Sequence, residues 1–426
     1  MDSAAAERVL ERHATRNFIV NVFDGGAFYL GMSLVSRYTV LPLIVERLSG
    51  ERWMQGLIPM LAQTGWFLPG LFLVPFVASL PRRKPMVLIG TLFERLPFLL
   101  LGIMLLAFPT ADPMLLLAAF FGLFAIHTFA SGVTSIPWQD FIARIIPGNR
   151  WGIFFGIQSG FGGLLGVGGA AATAYFLATY PFPQSIGILS LLCFAAMVVS
   201  FFFLASSVEP PQEPAPRQKI GEFLQGVMPL LERDPRFRSY LISRAAIALG
   251  LLGHNFLTAA ALERFNLPNE SVALFTGALL GAQAVADLLL GWLADRWGHK
   301  PVLVLSTGLG LAALVLAVIA PDPSWYLPIF VLVGSAQAGY MLTGFTLVFS
   351  FSTSPTERPA YIGLANIAIA PVSVLGPLSA GWLAEVAGYN SLFVLLTIIG
   401  LAGMLMLHLR VSPPTRSEAA SAHGAS

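Results

Sequence analysis

The chain has 426 residues, of which 56% are hydrophobic and only 11% are charged, whereas a soluble domain has roughly 25% charged residues. This composition excludes an ordinary soluble enzyme, a nucleic-acid-binding protein and a disordered chain, because each of them needs far more charge. The net charge of +2 and the single cysteine exclude a polyanion-binding surface, a disulfide framework and a cysteine metal cluster. What remains is an integral membrane protein, for which we expect no cofactor and no metal site.

Twelve apolar segments are long enough to cross a membrane as helices, which takes about 20 residues each. The first six spans are predicted at approximately 17–43, 53–79, 86–108, 113–136, 152–179 and 185–206. The second six are predicted at approximately 239–262, 270–294, 301–320, 325–350, 359–384 and 390–409. A β-barrel is disfavoured because the apolar runs are continuous rather than alternating. The sequence therefore predicts an all-α membrane protein.

The spans divide the chain into four predicted regions. These are an N-terminal six-helix bundle (1–206), a cytoplasmic linker (207–238), a C-terminal six-helix bundle (239–410) and a disordered cytoplasmic tail (411–426). The linker begins with closely spaced prolines that preclude a helix. Its later part, Gly221–Leu231, has one apolar face and predicts a helix lying on the membrane surface.

The basic residues are distributed unevenly between the two sides of the membrane. Eighteen of the 24 lysines and arginines fall in segments on the side of the termini, and three fall in segments on the opposite side. Because basic residues accumulate in cytoplasmic segments, this asymmetry predicts a multi-pass protein of the cell (inner) membrane with both termini in the cytoplasm.

The two halves of the chain show a weak internal repeat. Pro85 and Pro301, which follow the second and eighth spans, align at an offset of 216 residues. The segments 45–47 and 262–264, which end the first and seventh spans, align at an offset of 217. Two six-helix halves with internal similarity are typical of secondary transporters.

The loop between spans eight and nine carries the most specific motif. Residues 291–301 read GWLADRWGHKP, which resembles the inner-loop signature of the major facilitator superfamily except for His299 in place of an arginine. The resemblance extends over the chain through the span count, the linker and the repeat. It implies two pseudo-symmetric bundles, alternating access, and a loop that stabilises the outward-facing state. The gating residues implied here are Gly291, Asp295, Arg296, Gly298 and Lys300.

The alternative for this loop is a solvated basic turn with no gating role, whose charges reflect only the accumulation of basic residues in cytoplasmic segments. The first-half copy departs from the signature, because Ser79 stands where an aspartate is expected. Asp140 and Arg144, four residues apart at the end of span four, predict either a contact that changes between states or a local surface pair. Arg244 and Asp287, on the cytoplasmic side of spans seven and eight, are also predicted to belong to the gate.

Ionisable side chains inside a membrane cost about 2.5–3.5 kcal/mol on insertion scales, so each is a functional candidate. Asp24 in span one and Glu94 and Arg95 in span three are predicted at a similar depth. One arrangement pairs Asp24 with Arg95 and leaves Glu94 free to exchange protons. The alternative is a purely structural cluster that neutralises these charges.

Arg37 and His254 align under the repeat offset of 217, and we predict that both face the substrate. The alternatives are that Arg37 reaches towards the lipid headgroups and that His254 is a hydrogen-bonded packing residue. The uncharged polar candidates either line the cavity or join helices. The full predicted substrate-binding set is Arg37, His254, Asn255, Gln158, Gln337, Asn366 and His127.

These features predict a secondary transporter, not an enzyme, that moves a small organic solute with protons as the coupling ion. The basic and aromatic candidates favour an amphiphilic or weakly anionic solute. The predicted partners are therefore the solute, protons and the lipid bilayer, with no nucleic acid, and the monomer is expected to be functional. The alternatives are a uniporter without ion coupling and a membrane assembly factor or sensor that does not transport.

Overall fold

The computed structural model describes residues 3–78, 80–147, 150–210, 231–349, 351 and 358–411, and within these ranges every regular element is helical. The helices of the first half are α1 (Ser3–Leu34), α2 (Val40–Leu48), α3 (Arg52–Gln55), α4 (Leu57–Ala78), α5 (Lys84–Ala107), α6 (Pro113–Ile145), α7 (Trp151–Thr179) and α8 (Gln184–Ala205). Those of the second half are α9 (Pro235–Leu251), α10 (Leu257–Phe265), α11 (Ser271–Trp297), α12 (His299–Ile319), α13 (Tyr326–Phe349) and α14 (Arg358–Arg410). The predicted surface helix up to residue 230 and the tail from residue 412 lie outside the described residues.

Within the described ranges, nine helical segments are long and apolar enough to cross a membrane, with α9 and α10 counted together. α14 covers two of the predicted spans. The chain turns between them at Gly388, whose φ of 79° is a conformation that favours glycine. α1 has 32 residues and α4 has 22, which is also enough to cross. Together these segments account for the twelve predicted crossings.

The helix ends follow from local sequence signals. The Asp112 carboxylate accepts hydrogen bonds from the first backbone N–H groups of α6, and Asp234 caps α9 in the same way. Gly298 separates α11 from α12 with a φ of 87°, a left-handed conformation that favours glycine. The tight turn expected in the loop motif is therefore present.

Two equivalent spans are interrupted at the same point of the repeat. The first span stops at Leu34 and resumes at Val40, and the Ser36 carbonyl accepts bonds from the N–H groups of Val40 (2.9 Å) and Leu41 (3.0 Å). The seventh span changes to a 3₁₀ turn over Leu252–Phe256. Arg37 and His254, which the offset of 217 pairs, lie in these two breaks.

Small residues allow the closest helix approaches in each half. A Cβ added at Gly132 of α6 would clash with the backbone carbonyl of Gly65 in α4. In the second half, a Cβ added at Gly334 of α13 would clash with the backbone carbonyl of Leu279 in α11. The second and fourth spans therefore touch backbone to backbone, as do the eighth and tenth.

In each half, a lysine near the start of the third span binds carbonyl groups at the end of the last helix. Lys84 Nζ donates to the carbonyls of Ala205 (2.6 Å) and Ser207 (2.7 Å). Lys300, 216 residues later, donates to the carbonyl of His408 (2.8 Å). These contacts satisfy carbonyls that a helix end leaves without an internal partner.

The segment after α8 is held against the first half by two further residues. The Glu209 carboxylate accepts bonds from the backbone N–H groups of Arg83 (2.8 Å) and Lys84 (2.9 Å), which stabilises the start of α5. The Asn17 side chain exchanges two bonds of 2.9 Å with the backbone of Val208.

Candidate functional site

The two halves are joined at the end of the molecule opposite to the linker, called the far side below. The Arg52 guanidinium binds both carboxylate oxygens of Glu263, through Nε (2.9 Å) and Nη2, and reaches the Ala384 carbonyl (3.3 Å). The Glu385 carboxylate accepts a bond from the Arg52 backbone N–H (2.8 Å). Arg47 Nε donates to the Asn269 side chain (2.9 Å). All of these bonds connect the first half to the second.

The interrupted spans also meet at this end. The Thr258 hydroxyl donates to the Tyr38 carbonyl (2.6 Å), and the hydroxyls of Thr39 and Thr276 are hydrogen-bonded. Leu262 and Val272 of the second half belong to the same apolar core as the residues around the first break. We call this combination of polar and apolar contacts the far-side seal.

The charges of the seal influence one another. Burial raises the pKa of the Glu46 carboxyl above its ordinary value of 4.5, and the Glu263 carboxylate raises it further. The hydrogen bond to Glu263 raises the pKa of the Arg52 guanidinium. Because the sealed form holds the Glu46 proton more tightly than an open, solvated form would, raising the pH through the range just above 4.5 is expected to weaken the seal.

Replacing Arg52 with glutamine should loosen the seal by about 0.2–1 kcal/mol, the usual value for a half-exposed ion pair. The measurement is the rate at which a membrane-impermeant maleimide labels Val272→Cys, a buried seal position, in a Cys193→Ala background. Labelling should accelerate up to roughly fivefold. Arg264→Gln is the matched control, because Arg264 binds carbonyls of its own half, at Ala317 and Val318. Equal labelling rates in the two variants would contradict the role of Arg52.

Towards the linker side, the described residues of α7 in the first half and α11 in the second half are no longer in contact. A Cβ added at Gly163 of α7 would meet Ala284 of α11 at 2.8 Å, so these two helices touch there. Gly156 and Gly291 lie on the same faces as Gly163 and Ala284, two turns closer to the linker side. Among the described atoms, a Cβ added at either glycine would meet nothing within 4 Å. Among the described residues, α7 and α11 are therefore in contact at mid-depth and lack this contact two turns closer to the linker side.

Three polar side chains lie where the seam begins to open, a position called the seam apex below. Asp287 lies one turn beyond Ala284 on α11 and is half-buried. The Tyr29 ring of α1 lies against Gly162 of α7, next to the contact between Gly163 and Ala284, and its hydroxyl is near Ser159 and Asp287. The apex thus combines groups from both halves.

A second polar group is buried inside the first half. Arg95 Nη2 donates to the Ser200 hydroxyl (3.0 Å), which donates to the Asp24 carboxylate (2.6 Å). On the other side, Glu94 Oε2 lies 4.0 Å from Arg95 Nη1, and Glu94 Oε1 accepts a bond from Ser131 (2.6 Å). We call these five residues the buried polar chain.

The chain differs in detail from the arrangement that the sequence predicts. Asp24 and Arg95 share Ser200 instead of pairing directly, and Arg95 also binds the carbonyls of Met197 (2.7 Å) and Thr91 (2.9 Å). Ser200 and Ser131 were not among the sequence candidates, because a serine in an apolar run carries no distinctive pattern. His127 is buried beside this chain, with Nδ1 2.8 Å from the Glu94 carbonyl.

The other predicted substrate contacts are spread over the molecule. Arg37 binds its neighbour Tyr38, donating to its hydroxyl (2.7 Å) and lying 4.7 Å from its ring centre. His254 is 3% exposed, with Nε2 3.0 Å from the Gly310 carbonyl inside the second half. This is the packing geometry of the alternative interpretation. Asn255 donates to the Leu252 carbonyl in its own turn (3.0 Å).

The predicted amide ligands do not converge on one position. Gln158 donates to the Asn21 carbonyl (2.8 Å) and so joins α7 to α1. The Nε2 of Gln337 is buried without a hydrogen-bond partner among the described residues. The side chain of Asn366 lies outside the described part of the chain.

The predicted gate residues form separate contacts on the linker side. Asp140 accepts bonds from both Arg83 (2.6 Å) and Arg144 (3.1 Å), so it joins the loop before α5 to α6. Arg244 reaches the Ala365 carbonyl (3.4 Å). Arg296 stacks on Trp292, 4.0 Å from the ring centre, and the side chain of Asp295 is outside the described atoms.

The sequence and the fold were compared with known proteins. The Major Facilitator Superfamily model matches residues 240–425. An uncharacterized MFS-type transporter of Mycobacterium tuberculosis is 29% identical over 192 residues, which cover 42% of this chain and 46% of that protein. A methylenomycin A resistance protein of Streptomyces coelicolor is 32% identical over 133 residues, which cover 31% of this chain and 28% of that protein. The chain thus spans less than half the length of these relatives.

Two solved structures share the fold. The nucleoside transporter NupG superposes with a TM-score of 0.73 at 13% identity, covering 93% of this chain and 100% of that one. A D-xylose-proton symporter superposes with a TM-score of 0.69 at 14% identity, covering 93% of this chain and 98% of that one. The predicted fold of twelve helices in two six-helix bundles is therefore confirmed, and residues 291–301 lie within the part of the chain that the Major Facilitator Superfamily model matches.

Proposed function

We propose that this protein is a secondary active transporter of the major facilitator superfamily that moves a small organic solute by alternating access, coupled to protons. The observation that carries the proposal is the one-sided seam. The halves are joined by the far-side seal, and among the described residues α7 and α11 lose contact on the linker side of Ala284. A carrier that exposes its site to one side at a time needs a seam of this kind.

The interrupted spans support the same proposal. Transporters commonly use discontinuous helices near the midplane, where a break frees backbone groups and allows the helix pieces to move separately. Here the breaks at Ser36–Thr39 and Leu252–Phe256 adjoin the seal, and the Tyr38 carbonyl is one of its acceptors. Loss of these contacts would free α2 and α10 together.

The buried polar chain supports proton coupling. α1 carries Asp24 on the side facing α8 and Tyr29 on the side facing the seam, so a change of charge at Asp24 acts on a helix that lines the seam. Ser200 connects Asp24 to Arg95, and Glu94 offers a second carboxylate. A D-xylose-proton symporter shares this fold, and the partial similarity to a methylenomycin A resistance protein favours export of an organic compound.

Replacing Asp24 with asparagine should abolish solute accumulation driven by a proton gradient while counterflow exchange persists, because the amide cannot release a proton. A thermal-shift screen of the purified protein would first identify a stabilising solute. Its accumulation and counterflow would then be measured in proteoliposomes. Asp112→Asn, which changes an exposed helix cap, is the matched control.

Each outcome separates the candidate functions. Undiminished accumulation by the Asp24 variant would remove Asp24 as the coupling site. Solute movement in the unmodified protein that never exceeds equilibration would favour the uniporter. A failure of every solute to stabilise or cross would favour an assembly factor or sensor.

A further inference from the structure

We infer that the seam apex binds the positively charged group of an organic cation, with Asp287 as its counter-ion and Tyr29 as an aromatic wall. The inference rests on the proposed function and names its substrate class. It uses Asp287 differently from the sequence-based prediction, which assigned this residue to the gate.

The first step is that no described residue forms an ion pair with Asp287. A carboxylate at membrane depth is normally paired, because its desolvation is costly. None of the ion pairs of the described residues includes Asp287. The four ion pairs of these residues are Arg52–Glu263, Arg83–Asp140, Arg95–Glu94 and Arg144–Asp140.

The second step is that the carboxylate faces the opening. Ala284 touches Gly163 across the seam, the neighbouring Gly162 lies against Tyr29 of α1, and Asp287 follows Ala284 one helical turn later on the linker side. Gly291, a further turn along, borders open space among the described atoms. A solute entering from the linker side would therefore reach Asp287 at the end of the opening.

The third step is the chemistry of the surrounding groups. Tyr29 supplies an aromatic ring and Ser159 a hydroxyl, and a ring face attracts an organic cation in addition to the carboxylate. The basic residues that favoured an anionic solute lie elsewhere. His254 faces Gly310 within the second half, and Arg37 binds Tyr38. The apex therefore presents a net negative charge to the solute.

The test uses tetraphenylphosphonium, a permanently charged organic cation, and measures its binding to the purified full chain by equilibrium dialysis. Asp287→Asn should weaken binding by about tenfold or more, the effect of roughly one lost ion pair. Asp287→Glu keeps the charge and should stay within about threefold. Asp112→Asn removes a distant carboxylate and should bind like the unmodified protein.

Two further comparisons test the ligand class. Tyr29→Phe keeps the ring and should retain binding within about twofold, whereas Tyr29→Leu should lose about fivefold because the ring face is gone. Tetraphenylborate, the anion of the same shape, should bind far more weakly than the cation. Equal binding of both ions, or unchanged cation binding by a monodisperse Asp287→Asn protein, would overturn the inference.

A complete lack of cation binding by the unmodified chain would also overturn it. That result would leave the transporter proposal standing if another solute still drives proton-coupled accumulation. Failure of all solute accumulation alongside clear, Asp287-dependent cation binding would instead reject the transporter proposal and retain the site.

Discussion

Replacing Arg95 with methionine is expected to destabilise the protein by about 3–5 kcal/mol, the cost of removing one partner from a buried charge group. Arg95 is only 3% exposed, and each of its three guanidinium nitrogens donates one hydrogen bond, to Met197, Thr91 and Ser200. Methionine fills a similar volume but leaves Asp24 and Glu94 without a nearby positive charge. The measurement is the thermal unfolding midpoint in detergent, followed by intrinsic tryptophan fluorescence.

Two controls separate the charge from the packing. Arg95→Lys keeps the charge but cannot donate in three fixed directions, so its loss should be smaller than that of Arg95→Met. Adding Glu94→Gln to Arg95→Met should recover part of the stability, because one uncompensated carboxylate is then removed. A double variant no more stable than Arg95→Met would show that packing, not charge, dominates at this position.

Replacing Gly132 with alanine is expected to cost about 1–3 kcal/mol or more, as overpacking of a well-packed interior does. The added methyl would clash with the Gly65 backbone carbonyl, which belongs to α4 and has no rotamer with which to yield. α4 and α6 would have to separate. Loss of stability would appear in the same unfolding measurement.

Gly122→Ala is the matched control on the same helix. A Cβ at Gly122 meets nothing within 4 Å among the described atoms, so the change should be neutral or should stabilise by about 0.5–1 kcal/mol through the better helix propensity of alanine. An equal loss in both variants would contradict the contact argument, since it would place the cost in the helix itself.

Much of the architecture could be predicted from the sequence. Continuous apolar runs of about 20 residues specify membrane helices regardless of their neighbours. The repeat offset pairs Arg37 with His254, and the structure places these two residues in equivalent breaks of the first and seventh spans, which were not predicted. The apolar runs and the repeat offset depend on local sequence, which is why they are readable without a structure.

The direction of polar side chains could not be predicted in the same way. His254 lies in the break of the seventh span, and its side chain points to Gly310. Successive residues of a helix are rotated by about 100°, and this rotation decides which neighbour a side chain meets. The depth of Asp24 and Arg95 is readable from sequence, but the serine between them comes from α8, a helix whose packing partner the pattern does not specify. Asp287 illustrates the same point, since its approach to Tyr29 depends on how two halves dock.

The anchoring of Val208 and Glu209 to the first half has a mechanical consequence. The covalent tether between the halves effectively begins after Pro210, and it ends near Asp234, which caps α9 and accepts a bond from Tyr361. The chain from 210 to 231 alone could extend to roughly 70 Å at about 3.3–3.6 Å per residue, more than twice the thickness of the hydrocarbon core of about 30 Å. A connection of that contour length would not restrain the two halves, so any restraint on their relative movement has to come from contacts such as those of the far-side seal.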